Sequence, residues 1–458
     1  MERRWLKYIS FGSLVAITAT LVAATVIEKA KGTSFAMENI YRSPLFIILW
    51  AILAASALSY IIRRKERLQL FVLHTSLAVI LSGGLLSLTT ARRGELILAK
   101  GAPPSSMFAT AEGKLTRFPF KMTFEGAETL YDKDNTPTDH IVRINVEYSE
   151  GDTETITASM NRPLKREGYT FCIKSHSAEA VSLLASHDPA GTPVTYAGYI
   201  MFALSFMMLF TENRSGFRHL LKQLRKEETE EYKTVTGISG WNIALAAILG
   251  IFICFRWYRT GLFPATNGAE SLFVLACIMA VAGSRRGASH LSKPLFIAAC
   301  TATCIAACNF EWKGDIQPIL RTPLLGIHVS VIITAYALLG CMAINAIIAL
   351  CVRDEEKRCR QALFGRLLLY PATMLLACGI FIGAVWANIS WGRYWGWDPK
   401  EVWALITLLL CSLAFHTRSI PLLASPRSFH IFCILLFSAM LFTYIGVNYF
   451  LGGMHAYI

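Results

Sequence analysis

Apolar runs of helix-spanning length constrain this chain more than any motif in it. They lie at about 8–27, 44–62, 70–90, 194–211, 241–255, 269–283, 294–308, 325–351, 367–386, 401–417 and 431–449. Each approaches or exceeds the roughly 20 residues that an α-helix needs to cross a bilayer. Of the 458 residues, 54% are hydrophobic, and the mean hydropathy is +0.45. Lipid is therefore the main solvent. The expected fold is a polytopic α-helical membrane protein of about 11 transmembrane helices. The first run, Tyr8 to Ile27, has no small-residue cleavage site and reads as a retained helix.

A net charge of +13 would suggest nucleic acid as the partner of a soluble protein. Here the basic residues crowd into short loops between apolar runs, where they set orientation, so nucleic acid is excluded and membrane lipid is the surrounding medium. With Met1 in the cytoplasm, Arg63-Arg64-Lys65, the 214–233 run, Arg285-Arg286, Arg353 to Arg366 and Arg418 all fall inside and hold most of the loop charge. The expectation is a bacterial cytoplasmic (inner) membrane, with a cytoplasmic N-terminus and a periplasmic C-terminus.

Residues 91–193 differ in kind. They are polar, and they alternate in stretches such as Phe120-Lys-Met-Thr-Phe124 and Ile141-Val-Arg-Ile-Asn-Val146, as half-buried strands do. A small β-rich periplasmic domain is expected there. The stretch 212–240 carries Lys-Gln-Leu-Arg-Lys followed by an acidic run and reads as a cytoplasmic linker. Two modules result, 1–211 and 241–458.

The 12 cysteines contain neither a C-x-x-C pair nor a C-x-x-C-H heme attachment site. Thiols that do chemistry must then come from a partner. Cys300, Cys304 and Cys308 recur at helical spacing, which in an apolar helix reads as packing.

Chemistry concentrates in 386–403, which holds five of the ten tryptophans: Trp386, Trp391, Trp395, Trp397 and Trp403. Interleaved with them are Arg393, Tyr394, Asp398, Lys400 and Glu401. An interfacial aromatic belt is the alternative reading, but belts scatter one or two aromatics per helix end. Flat indole faces edged by Arg or Lys suit a planar, apolar ligand with anionic groups, and heme is such a ligand. Asp398 precedes Pro399 and is placed to cap the next helix, a structural role that competes with a catalytic one.

Heme iron needs axial donors, commonly imidazole. His328 and His455 flank the Trp-rich loop at the outer side, while His74 and His416 lie inside apolar helices near their cytoplasmic ends. Each intramembrane His alone could equally be a hydrogen-bonded packing residue. His219, His290 and His430 sit in basic loops with no special role expected, and His140, His176 and His187 read as solvated surface of the outer domain.

At these residues the sequence resembles the heme-handling membrane proteins of cytochrome c maturation. Gly383-Ala-Val-Trp386-Ala-Asn388 through Trp391-Gly-x-Tyr-Trp-x-Trp397-Asp398-Pro-Lys-Glu401-Val-Trp-Ala-Leu-Ile-Thr407 is similar to the tryptophan-rich signature of CcsA (ResC). Phe263-Pro264 with Asn267 and Glu270-Ser271, His328-Val-Ser, Phe415-His416-Thr-Arg418, and Gly446-Val-Asn448 leading to His455 support it. The first half resembles CcsB (ResB), through Asn161-Arg-Pro-Leu164, Gly168-Tyr169, Asp188-Pro and Tyr196-Ala-Gly198. The whole thus looks like a fused CcsBA of system II cytochrome c biogenesis.

The resemblance implies two stations for heme b, handled as substrate. His74 and His416 would ligate iron within the membrane, and His328 and His455 would ligate it under the loop. Trp391, Trp395 and Trp397 would hold the ring, with Trp386, Tyr394 and Trp403 beside it and Arg393 and Lys400 meeting propionates. The implied activity is that of a holocytochrome c synthase, a lyase forming thioethers between heme vinyls and a Cys-x-x-Cys-His segment of apocytochrome c. An outer-side thiol-reducing partner is implied as well. A heme transporter without ligation activity and a b-type electron-transfer subunit are the competing classes.

Overall fold

In lipid a helix satisfies its own backbone polar groups, and every apolar run above is helical. The computed structural model describes residues 2–64, 66–132, 135–148, 151–228, 238–284, 289–312, 317–417 and 419–453. Helices α1 (Glu2–Lys31), α2 (Thr33–Ala36), α3 (Pro44–Arg64) and α4 (Leu68–Thr90) precede a β-sheet, and α5 (Gly191–Thr211) follows it. Then come α6 (Gly216–Glu228), α7 (Ile238–Thr260), α8 (Gly268–Gly283), α9 (Ser289–Cys308), α10 (Pro323–Cys351), α11 (Glu355–Trp391), α12 (Pro399–Phe415) and α13 (Pro426–Leu441). The last continues as a π-helical stretch, Phe442–Leu451.

Among the described residues, nine helices are long and apolar enough to cross a membrane, fewer than the eleven or so expected. The shortfall lies in α8 and α12, with 16 and 17 residues. At 1.5 Å per residue they reach about 25 Å, short of a hydrocarbon core of about 30 Å.

The expected β-rich domain is one antiparallel eight-stranded sheet. Its strands are β1 (Arg92–Ala99), β2 (Ser105–Thr110), β3 (Leu115–Tyr131), β4 (Pro137–Glu147), β5 (Thr153–Ser159), β6 (Leu164–Arg166), β7 (Tyr169–His176) and β8 (Ala180–His187). They run in the order β5-β4-β3-β2-β1-β8-β7-β6. Alternate residues turn inward: Phe118, Phe120, Met122 and Phe124 of β3 pack with Val142, Ile144 and Val146 of β4, while Lys121 and Arg143 face out. First and last strands pair, Arg92 opposite His187, so α4 and α5 leave the sheet side by side.

Those two helices pack almost backbone to backbone. A Cβ on Gly83 would collide with Thr195, and one on Gly191 with Ser87. Small residues of this kind let helices approach in lipid, where no hydrophobic force draws them together.

The stretch expected as a linker is partly helix. In α6, Phe217, Leu220, Leu221 and Leu224 recur at helical spacing, and Phe217 meets Phe210 and Tyr370. Residues 229–237 lie outside the described residues, as do Lys65, Arg285, Arg286 and Arg418 of the loop-charge argument.

Candidate heme-handling site

Two histidines from opposite halves of the chain meet at the end of the helices remote from the sheet. His74 is six residues into α4, and His416 caps the far end of α12. Their ring centres are 6.4 Å apart with planes at 87°. Each Nδ1 lies 2.8 Å from the backbone carbonyl one turn earlier, His74 on Leu70 and His416 on Ser412. A carbonyl only accepts, so Nδ1 carries the proton and the basic lone pair is on Nε2. Phe11 of α1 packs edge-on against His416 at 5.4 Å.

The spacing fits two imidazoles on either side of one metal atom. With metal–nitrogen bonds of about 2 Å and a ring centre roughly 1 Å further, imidazoles on either side of one atom have centres about 6 Å apart. Among the described residues, no third His, Cys, Asp or Glu completes a metal site here. Iron in a porphyrin takes one or two further axial donors, and imidazole is a common one.

At the other end of α12, some 25 Å away by helix rise, the Trp-rich loop is packed chiefly by the N-terminal half. Trp397 stacks on Tyr41 at 4.7 Å and 12°, and Phe46 and Trp395 meet it edge-on at 5.4 and 5.7 Å. Trp397 adopts a φ of 58°, a left-handed conformation that is strained for a bulky residue. Trp403 donates Nε1–H to Thr25 and packs on Phe442. Trp386 and Trp391 form an edge-on pair at 4.9 Å. The Tyr394 hydroxyl lies 2.8 Å from Ser87 Oγ and accepts from Thr195 at 3.1 Å, while Asn388 donates to Tyr196.

The loop's charged groups are also engaged. Asp398 and Glu401 form a capping box, in which Asp398 accepts from the Lys400 N–H and Glu401 from those of Asp398 and Gly396. Reciprocal caps of this kind satisfy the orphan donors of a helix start. Lys400 Nζ donates to Asn448, tying the loop to the final helical stretch, and the Arg393 guanidinium lies over Gly396. Burial first, then the charges of Glu28, Asp398 and Glu401, pushes the Tyr41 hydroxyl above its ordinary range and keeps it protonated.

His328 stands on the sheet side, five residues into α10. Its Nδ1 donates to the Gly379 carbonyl at 2.7 Å, which again places the lone pair on Nε2. The ring lies where a Cβ of Gly383 would be, one turn before Trp386. His455 is outside the described residues. Gly453, two positions before it in sequence, packs against Asp398 and Pro399.

Sequence reasoning missed the N-terminal partners of the loop, namely Tyr41, Phe46, Ser87, Thr195 and Tyr196. Nothing local marks them, since contacts across hundreds of residues leave no periodicity. His430, expected in a loop, is fully buried with Nε2 on the Arg358 carbonyl, and His290 bonds Asn345. Cys172 joins sheet to bundle through the Ile389 carbonyl at 3.4 Å, and burial pushes its thiol up to about 12, so it stays protonated.

Residues 266–455 match the family model described as "Cytochrome C assembly protein". A cytochrome c biogenesis protein CcsA of a Synechococcus species is 32% identical over 331 residues, covering 58% of this chain and 98% of the relative. CcsA of Chlamydomonas reinhardtii is 32% identical over 233 residues, 46% of this chain and 65% of that protein. Protein NrfI of Wolinella succinogenes is 30% identical over 235 residues, 48% of this chain, which spans only 25% of NrfI.

Proposed function

The chain belongs to the cytochrome c assembly protein family of CcsA and NrfI, and on that premise we propose that it carries heme outward across a bacterial cytoplasmic membrane and attaches it covalently to apocytochrome c. The observation that carries this reading is the His74–His416 pair, with ring centres 6.4 Å apart and both Nδ1 protons committed to backbone carbonyls. Because one donor comes from each half, an intact inner station requires both 1–211 and 241–458, which a fusion ensures. That favours a CcsB-like module fused to a CcsA-like one.

In the proposed cycle heme b enters from the cytoplasm, is ligated by His74 and His416, and passes to His328 and His455 under the loop on the periplasmic side. Trp391, Trp395, Arg393 and Lys400 then border the ring and its propionates. Attachment adds each S–H of a Cys-x-x-Cys-His segment across a heme vinyl group. One C–S bond and one C–H bond form, the vinyl C=C becomes a single bond, and no electrons are exchanged with the protein. The chain's task is positioning, since holding thiol and vinyl together makes the encounter effectively intramolecular, worth up to about 10 kcal/mol in ideal cases. A periplasmic reductant keeps the acceptor thiols reduced.

The test is co-expression with an apocytochrome c in a host lacking its own maturation system, followed by a denaturing gel stained for heme. A stained cytochrome band that disappears with His328→Ala or His455→Ala is expected. No band, while the purified protein still holds reducible heme, would leave a carrier or an electron-transfer subunit.

A further inference from the structure

Where the sheet meets the bundle, a cavity of about 500 Å³ opens between Ser159, Asn161 and Arg162 on one side and Arg321 and Trp386 on the other. That size suits a bound ligand. The two halves are pinned around it by Asn161 Nδ2 donating to the Pro318 carbonyl at 2.9 Å and by the Arg321–Asp132 ion pair at 3.6 Å.

Four of its lining residues each bury a polar atom that has no hydrogen-bond partner: Ser159 Oγ, Asn161 Oδ1, Arg321 Nε and Trp386 Nε1. Buried polar atoms are nearly always paired, so four unpaired ones around one cavity point to an occupant. Their chemistry is mixed. Arg321 Nε–H and Trp386 Nε1–H can only donate, Asn161 Oδ1 can only accept, and the Ser159 hydroxyl does either. A carboxylate would leave Asn161 facing another acceptor, and Asp132 already pairs with Arg321. A polypeptide backbone, with alternating N–H and C=O groups and no charge, answers both kinds.

We propose that this cavity holds the backbone of an extended segment of the acceptor cytochrome, a role that rests on the ligation reading above. Trp386 lies one helical turn from Gly383, against which His328 packs. A peptide seated here runs next to the outer iron ligand, where its thiols meet the heme vinyls.

The experiment uses the purified full chain carrying heme and a fluorescent synthetic peptide with Ser-x-x-Ser-His in place of Cys-x-x-Cys-His, which binds without reacting. Arg321→Lys keeps a cation opposite Asp132 but lacks the Nε–H, and Ser159→Ala removes only a hydroxyl, so one variant remains should the other fail to fold. Each is expected to raise the peptide Kd by about 3- to 10-fold, the worth of one hydrogen bond, with bound heme unchanged. No binding to the unmodified chain, or Kd values in both variants unchanged from it, overturns the proposal. A fall in bound heme at constant peptide Kd overturns it too and assigns the cavity to the heme carboxylates. Failure of the ligation reading looks different: the peptide binds as stated, but co-expression yields no heme-stained cytochrome.

Discussion

The two ends of α12 are built on opposite principles. At His416 two imidazoles meet with their Nδ1 protons engaged by backbone carbonyls, and no third protein donor among the described residues joins them. At Asp398 nearly every group has a partner: Trp397 stacks on Tyr41, Tyr394 bonds Ser87 and Thr195, and the charged residues cap the helix or one another. One end brings two imidazoles from different halves of the chain together. The other is a rigid frame that stores strain at Trp397. The difference separates a pair of facing imidazoles from residues that hold a shape; His416 and the loop lie in the stretch matched by the family model, whereas His74 lies outside it.

The largest effect is expected at the first end. Changing groups that merely support a metal ligand costs about 10- to 100-fold in affinity, so His74→Ala or His416→Ala should cost more and empty the inner station. The double variant should be no worse than either single one, because one imidazole cannot replace the pair. Heme content and reduced-minus-oxidised spectra of the purified protein check this. Intact inner heme in both single variants would break the comparison.

At the second end the expected losses are of stability. Trp397 is half-buried, so Trp397→Ala should cost less than the roughly 3–5 kcal/mol of truncating a fully buried aromatic, read as a lower melting temperature in detergent. Trp397→Gly should be milder by roughly 1 kcal/mol, because glycine accepts a positive φ. Equal melting temperatures would mean that the strain is not real. For Asp398 the cap predicts a loss of about 1 kcal/mol with Ala and only a few tenths with Asn, which caps equally well. If Asp398→Asn keeps the melting temperature yet abolishes heme attachment, the carboxylate takes part in chemistry and the frame is more than a frame.

How much of this was legible beforehand depends on the range of the interaction. Phe120-Lys-Met-Thr-Phe124 announced a strand because inward and outward residues alternate locally, and Asp398-Pro399 announced a helix start for the same local reason. The Trp-rich loop was visible as composition. What surrounds it was not, because Tyr41 and Ser87 reach it across more than 300 positions with no sequence period to carry the information. His430 was expected in a basic loop, whereas Ser425 caps α13 and places His430 inside that helix, fully buried. The runs 269–283 and 401–417 were counted as spans although short, and α8 and α12, at 16 and 17 residues, do not extend them to spanning length.

The smallest expected effect lies outside both stations, in the sheet. His140 of β4 and His176 of β7, read from sequence as solvated surface, have ring centres 4.5 Å apart, and Thr129 Oγ1 lies 3.0 Å from His140 Nδ1. Burial first, and His140 second, lowers the pKa of His176. The unfolded chain then binds this proton more readily than the folded one. The contribution to stability is therefore complete above the unfolded value of about 6.5 and is lost as pH falls below it. The melting temperature of the sheet should decline between about pH 7.5 and 5.5, and His176→Gln should flatten that decline. Glu95, lowered by its hydrogen bonds to Lys174 and Ser182, acts in the separate carboxylate window below about pH 4.3 and does not blur the result. A slope that survives His176→Gln would place the titrating group elsewhere, whereas a flattened slope with heme content unchanged would set the sheet apart from both ends of α12.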